Sequence, residues 1–138
     1  MTLYLELDTN PTGTAQQKGE RVVGKHIHHF TKKKVKTQRA IYIQKITEAL
    51  EDLEREAPNY EGPVFLNVMF YYSIKDKKRW GYWKTSKPDN DNAVKLLQDV
   101  LCELNFFKDD SQVADLHVKK KLSEHPGILI DIGRLIQP

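Results

Sequence analysis

The sequence predicts a single α+β domain in which two main helices pack against a mixed or antiparallel sheet. Three observations carry that expectation. Two stretches repeat apolar residues at three- and four-residue spacing, the pattern of a helix with one buried face. Four others hold alternating or β-favouring residues between turn-forming ones. The 138 residues fit one domain over the whole chain, 1–138, with no internal repeat and no low-complexity segment.

Taken in order, Leu3 to Leu7 alternates and opens the chain as a short strand, and Asn10, Pro11, Gly13 and Thr14 mark a loop. The stretch Arg21 to Phe30 mixes β-branched residues with His26, His28 and His29, and it reads equally as a strand, a hairpin arm or a basic loop. Lys36 to Glu56 is the first helix, with Tyr42, Ile46, Ala49, Leu50 and Leu53 as its apolar stripe, ended by Pro58, Asn59 and Gly62. Pro63 to Ile74 is the clearest strand. Val64, Leu66, Val68, Phe70, Tyr72 and Ile74 share one face, and Phe65, Met69 and Tyr71 on the other predict a central strand covered on both sides. Lys75 to Lys87 is a basic loop with Trp80, Tyr82 and Trp83, and Pro88 disfavours helix at Lys87. The second helix runs from about Asp91 to Leu104, with Asn90 or Asp91 as N-cap and Asn105 as its stop. Its stripe is Val94, Leu97, Val100, Leu101 and Leu104. Strands follow at Val113 to Leu122 and, after Pro126 and Gly127, at Ile128 to Arg134.

Composition excludes several classes. One cysteine, Cys102, cannot form an intramolecular disulfide, so a reducing, cytoplasmic setting is expected. The longest apolar runs, such as Val68 to Tyr72, fall far short of the roughly 20 residues that span a bilayer. No cationic flank and apolar core mark a signal peptide at the N-terminus.

The net charge of +3 is small, but its distribution is not even. Lys18, Arg21, Lys25, Lys32, Lys33, Lys34 and Lys36 face one acid, Glu20, and are the candidate phosphate contacts. A second basic run holds Lys75, Lys77, Lys78, Arg79, Lys84 and Lys87, while acids gather from Asp89 to Asp115. Two basic segments around an acidic cluster suit a polyanion bound beside a metal ion.

The stretch KPDNDNAVKLLQDVLCELNFFKDDSQV, Lys87 to Val113, is the informative one. Asp89 and Asp91 stand at the mouth of the second helix, Lys95 one turn beyond Asp91, Asp99 a turn further, and Asp109 and Asp110 after the helix. Carboxylates without histidine or cysteine make a hard oxygen site, which selects Mg²⁺, with Mn²⁺ as substitute. Such an ion activates water and shields a phosphate, and Lys95 can stabilise charge on the phosphorus. Taken singly, Asp91 is also a plain N-cap and Asp109 and Asp110 are also turn formers. The helix is roughly 21 Å long, so Asp110 reaches Asp89 and Asp91 only along a returning strand or from a twofold-related chain.

These residues resemble the signature of the RusA-type Holliday junction resolvases, the crossover junction endodeoxyribonucleases. Pro88, Asp89, Asp91, Asn92, Lys95, Asp99, Asp109, Asp110, Gln112 and Val113 match it in type and spacing, and Gln16, Gln17 and Lys18 resemble phage-borne members. The resemblance implies a RusA-like fold, with Asp89, Asp91 and Asp110 as metal-binding catalytic acids and Lys95 as catalytic lysine. Asp99 and Asp109 would be accessory. It implies a homodimer that resolves four-way DNA junctions by paired nicks with Mg²⁺. His26, His28 and His29 lie outside the pattern, and no further ligand completes a zinc set with them.

Two other readings compete. A branched-DNA-binding protein without catalysis would have no use for Asp89, Asp91 and Asp110 together. A small-molecule phosphotransfer enzyme would need no basic surface this wide, and no Gly-rich nucleotide loop is present. Trp80, Tyr82 and Trp83 either stack on exposed bases or pack on protein. Lys119, Lys120 and Lys121 either guard a sheet edge or contact phosphate.

Overall fold

In the computed structural model residues 1–11 and 37–138 are described in full, and at 18–23, 26–31 and 33–36 the backbone elements alone. Eight elements follow one another: β1 (Thr2–Glu6), β2 (Lys18–Val23), β3 (His26–Thr31), α1 (Lys33–Asp52), β4 (Val64–Ser73), α2 (Asn90–Glu103), β5 (Val113–Ser123) and β6 (Gly127–Arg134). The stretch that read equally as strand, hairpin arm or loop forms the antiparallel hairpin β2–β3. The other strands make one mixed sheet in the order β1-β6-β4-β5. β6 runs antiparallel to both its neighbours, and β4 and β5 are parallel, joined by the α2 crossover. The expected α+β class is therefore observed, with the mixed form of the sheet. No helix among the described residues is long and apolar enough to cross a membrane.

Alternation decides which face is buried. Val64, Leu66, Val68, Phe70 and Tyr72 of β4 and Ile128, Ile130 and Ile132 of β6 all point into one core. Tyr42 and Ile46 of α1 and Leu96, Leu97, Val100 and Leu101 of α2 close it from above. Leu104 is only half-buried at the end of its stripe. Leu53 departs from the expected stripe altogether and is 47 % exposed. The reason is local: α1 ends at Asp52 and Glu54 turns left-handed at φ 53°, so Leu53 has already left the helix face. Asn105, by contrast, stops α2 as expected, at φ 67° just past the cap.

The expectation that β4 is covered on both faces is not met. β4 is central, but Phe65, Met69 and Tyr71 are half-buried and Asn67 is exposed. Both helices pack on the other face. The residue that marks the open face is Asn67, which lies in register between His117 of β5 and Asp131 of β6. Rings partly shield this surface where glycines leave them room. A β-carbon at Gly127 would come within 2.3 Å of Tyr4 Oη, and one at Gly133 within 2.7 Å of the Phe65 ring.

One side chain fixes the segment that leads from α2 into β5. Gln112 accepts from the backbone N–H of Lys108 at 2.8 Å and of Asp109 at 3.0 Å, and donates to the carbonyls of Tyr60 at 3.0 Å and Gly62 at 2.9 Å. Its amide is thus fully used, tying the Asp109–Asp110 turn to the loop before β4. Gln112→Ala removes all four bonds. It is expected to lower stability by about 1–3 kcal/mol, read as the midpoint of urea unfolding at unchanged slope.

Candidate active site

The mouth of α2 is held from beneath by β5. Lys120 donates through Nζ to the carbonyls of Ser86 and Pro88, both at 2.7 Å, and Asn90 donates through Nδ2 to Val118 O at 3.1 Å. Lys84 adds a bond from Nζ to Ser86 Oγ at 2.6 Å. These contacts pin the turn that delivers Asp89. The N-cap is Asp89 itself, not Asn90 or Asp91, and its carboxylate makes no capping bond. Asp91 stands in the first helical turn and is exposed. Two carboxylates at a helix N-terminus sit where the backbone field favours negative charge.

From there a charged ridge runs along the solvent side of α2: Asp91, exposed Lys95, half-buried Asp99 and exposed Glu103. Asp99 titrates above the usual carboxylate range. Burial raises it first, Arg39 of α1 opposes that, Asp110 raises it further and Lys95 lowers it. Arg39 also pairs with Glu103, so one arginine serves both acids at this end of the ridge.

Asp110 opens the short 3₁₀ turn Asp110–Gln112, which Asp109 caps by accepting from Ser111 N at 2.8 Å. That hydrogen bond holds the Asp109 carboxyl below its ordinary range. Asp109 therefore has a structural task, and Asp110, exposed beside it, adds a side-chain hydrogen bond to Asp109. Cys102 sits beside them, donating to Lys108 O at 3.2 Å, and burial together with Asp109, Asp110 and Asp99 pushes its thiol up.

The expected residues thus fall into two groups. Asp89 and Asp91 lie at one end of α2, and Asp99, Asp109 and Asp110 at the other, with Lys95 between. β5 does run back under the helix, as the Asn90 contact to Val118 demonstrates. Asp110, however, precedes that strand and lies towards the far end, near Asp99, which stands about 12 Å along the helix from Asp91. Accordingly no group of three or more potential metal-binding side chains converges among the described residues. The donor chemistry suits a hard cation, but the described residues of one chain do not converge into a ligand set.

Tyr82 and Trp83 are each 59 % exposed beside this mouth, with Lys121 Nζ 4.5 Å from the centre of the Trp83 ring. Trp80 is tied down by its indole N–H to Ile74 O at 2.9 Å. Sequence reasoning missed three positioning residues: Lys120, Arg39 and Gln112 in its clamp role. Lys120 looked like one of three equivalent edge lysines, and only the fold turns it toward Pro88. The side chains of Lys18, Arg21, Lys25, Lys32, Lys33, Lys34 and Lys36, of Gln16 and Gln17, and of His26, His28 and His29 lie outside the described residues.

Comparison with known proteins decides the family. The family model described as "Endodeoxyribonuclease RusA" matches residues 8–133. The chain belongs to the RusA endodeoxyribonuclease family. This RusA-family chain is 39 % identical over 127 residues to "Crossover junction endodeoxyribonuclease rusA" of Lactococcus phage r1t, covering 92 % of each chain. It is also 40 % identical over 82 residues to "Uncharacterized protein YqaN" of Bacillus subtilis (strain 168), covering 51 % of this chain and 57 % of that one. All the ridge and turn acids, and Lys95, fall inside the family match.

Proposed function

We propose that this chain is a metal-dependent endonuclease that resolves four-way DNA junctions by paired nicks, working as a homodimer. One observation carries the reading: exposed carboxylates stand at both ends of α2, with Lys95 between them, on an open surface. A small phosphorylated substrate calls for a concave pocket that encloses it. A duplex backbone needs an open surface, and exposed Tyr82 and Trp83 beside the helix mouth suit unstacked bases at a junction.

Asp89, Asp91 and Asp110 are the proposed metal-binding acids, and Lys95 is the proposed phosphate-facing cation. Because the two acid groups stand towards opposite ends of α2, each site takes Asp89 and Asp91 from one copy and Asp110 from its twofold mate. An all-carboxylate set favours Mg²⁺, and Mn²⁺ substitutes; when bound, the ion supplies positive charge at the scissile phosphate. A twofold dimer presents two such sites to two strands, which coordinated nicking requires. Lys18, Arg21, Lys25, Lys32, Lys33, Lys34 and Lys36 contribute phosphate contacts, and no nucleotide cofactor is needed. A single cysteine fits a cytoplasmic setting.

The test uses a synthetic four-way junction and a matched linear duplex, each with Mg²⁺ or with EDTA. Paired nicks on opposed strands, confined to the junction with Mg²⁺, are expected. Tight junction binding with no cleavage under any divalent cation overturns the reading and leaves a branched-DNA-binding protein.

A further inference from the structure

Lys84 and Lys120 bring two ammonium groups together under the loop that enters α2. Backbone bonding makes the two residues neighbours: Lys84 N donates to Lys120 O at 3.0 Å, next to the bridge between Trp83 and Lys121. Lys120 shares its side of β5 with Val118 and Leu122, which pack on the core. Lys84 Nζ lies 5.0 Å from the centre of the buried Tyr72 ring. Both ammonium groups therefore stand on the side of the sheet that carries α2. Both also reach one residue, Ser86. Lys84 Nζ donates to its Oγ at 2.6 Å, and Lys120 Nζ to its carbonyl at 2.7 Å.

Two properties set this pair apart from ordinary surface lysines. First, each is half-buried, yet neither has an acidic partner among the described residues, where the ion pairs involve Arg39, His117 and His125 as cations. The Lys84 ammonium is held below the ordinary lysine range, by burial first and then by the charges of Lys120 and exposed Arg79. Like charges gathered and partly desolvated destabilise one another unless an anion joins them. Second, donor capacity is left over. Each ammonium carries three N–H groups. Lys84 uses one on Ser86, and Lys120 uses two, on Ser86 O and on Pro88 O, so three of the six remain. The Ser86 hydroxyl accepts from Lys84, which leaves its own O–H to donate.

We infer that Lys84 and Lys120, with Arg79 beside them and the Ser86 hydroxyl between, form a phosphate site that grips the DNA strand at a phosphodiester next to the one that is cut. Its place follows from Lys120. The same ammonium holds Pro88 O, and Pro88 directly precedes Asp89, the first of the proposed metal-binding acids. A phosphate on Lys120 thus abuts the carboxylates at the mouth of α2, and a neighbouring phosphodiester of the same strand reaches them. The cluster holds no carboxylate, so it attracts an anion and repels a second metal ion. Exposed Arg79, Ser86 and Lys87 leave it open, which suits a strand passing across and not a small molecule enclosed in a pocket. Such a contact fixes the register of the strand and reads no base. The site rests on the reading of this chain as a junction endonuclease, and it names where the cut strand is held.

The test places single methylphosphonate linkages, which are neutral, in turn along the cut strand of a synthetic four-way junction. Binding in EDTA is measured for wild type and for Lys84→Met, which keeps the stem over Tyr72 and removes the charge. Neutralising one phosphate beside the cleavage position is expected to weaken wild-type binding roughly tenfold and Lys84→Met binding less than about twofold. Lys84→Met should also lower the slope of log affinity against log salt by about one. Lys119→Met removes the same charge from the opposite side of β5 and is expected to keep the full sensitivity at that phosphate. A purely structural role for Lys84 would weaken binding at every linkage alike and leave the step of roughly tenfold in place. Additive losses at every linkage, in a protein that still cuts junctions, overturn the phosphate site and leave the endonuclease reading standing. Additive losses together with inhibition by inorganic phosphate that Lys84→Met abolishes mean a site for a free anion, which also overturns the strand contact. A protein that binds the junction no better than linear duplex and cuts neither overturns both.

Discussion

Asp91→Asn and, separately, Asp110→Asn are each expected to lower junction cleavage at least about a hundredfold, with junction affinity kept within a few-fold of wild type. The replaced groups differ by one proton-binding oxygen, so shape and volume are retained while the negative charge is lost. Both residues are exposed, and the hydrogen bond of the Asp110 side chain to Asp109 lies at the surface, so stability should move by no more than about 0.5–1 kcal/mol. Loss of rate without loss of folding or binding is therefore the signature of a residue that acts on the phosphate. Rate at saturating junction, junction affinity and urea midpoint, measured on the same preparations, separate the three. A variant that cuts within tenfold of wild type would remove that residue from the catalytic set. Asp109 makes an informative contrast, because its carboxylate already caps the turn through Ser111 N. Its stabilising contribution is present above the ordinary carboxylate pKa and lost as pH falls through its depressed value.

Much of the fold was legible because period and face coincide. Leu3, Leu5 and Leu7, the even residues of β4 and the stripe of α2 were readable as buried positions from spacing alone, and all but Leu104 at the end of that stripe are buried. What escaped reading depended on contacts distant in sequence. Nothing local to Asn67 says that the helices choose the opposite face, although a polar residue in an otherwise apolar row was a signal that could have been weighed. Leu53 continues the helical period, but the period cannot reveal that Glu54 turns left-handed one residue later. At the site, residue types and spacing identified Asp89, Asp91, Lys95, Asp99, Asp109 and Asp110 as one constellation. The structure divides it along a rigid helix, and that division follows from the 1.5 Å rise per residue, not from any motif. Arg39 and Lys120 were invisible because each finds its partners only after folding: Arg39 lies 64 residues from Glu103 and Lys120 lies 32 from Pro88.

The division of the acids yields the most direct test of the account. If each site draws Asp91 from one copy and Asp110 from the other, two inactive proteins become active when paired. In a mixed dimer of Asp91→Asn with Asp110→Asn, one site receives both substitutions and the other receives neither. Random mixing makes half the dimers mixed, each with one intact site, so nicking should return to about a quarter of the wild-type rate. It should return as single nicks, since the second site of every mixed dimer is dead. The measurement is junction nicking by co-expressed, differently tagged Asp91→Asn and Asp110→Asn chains, purified through both tags so that mixed dimers alone remain. Recovery to about half the wild-type nicking rate per dimer, without paired resolution, is the predicted result. No recovery in dimers proved to be mixed would contradict it, and would mean that all the acids of a site belong to one chain.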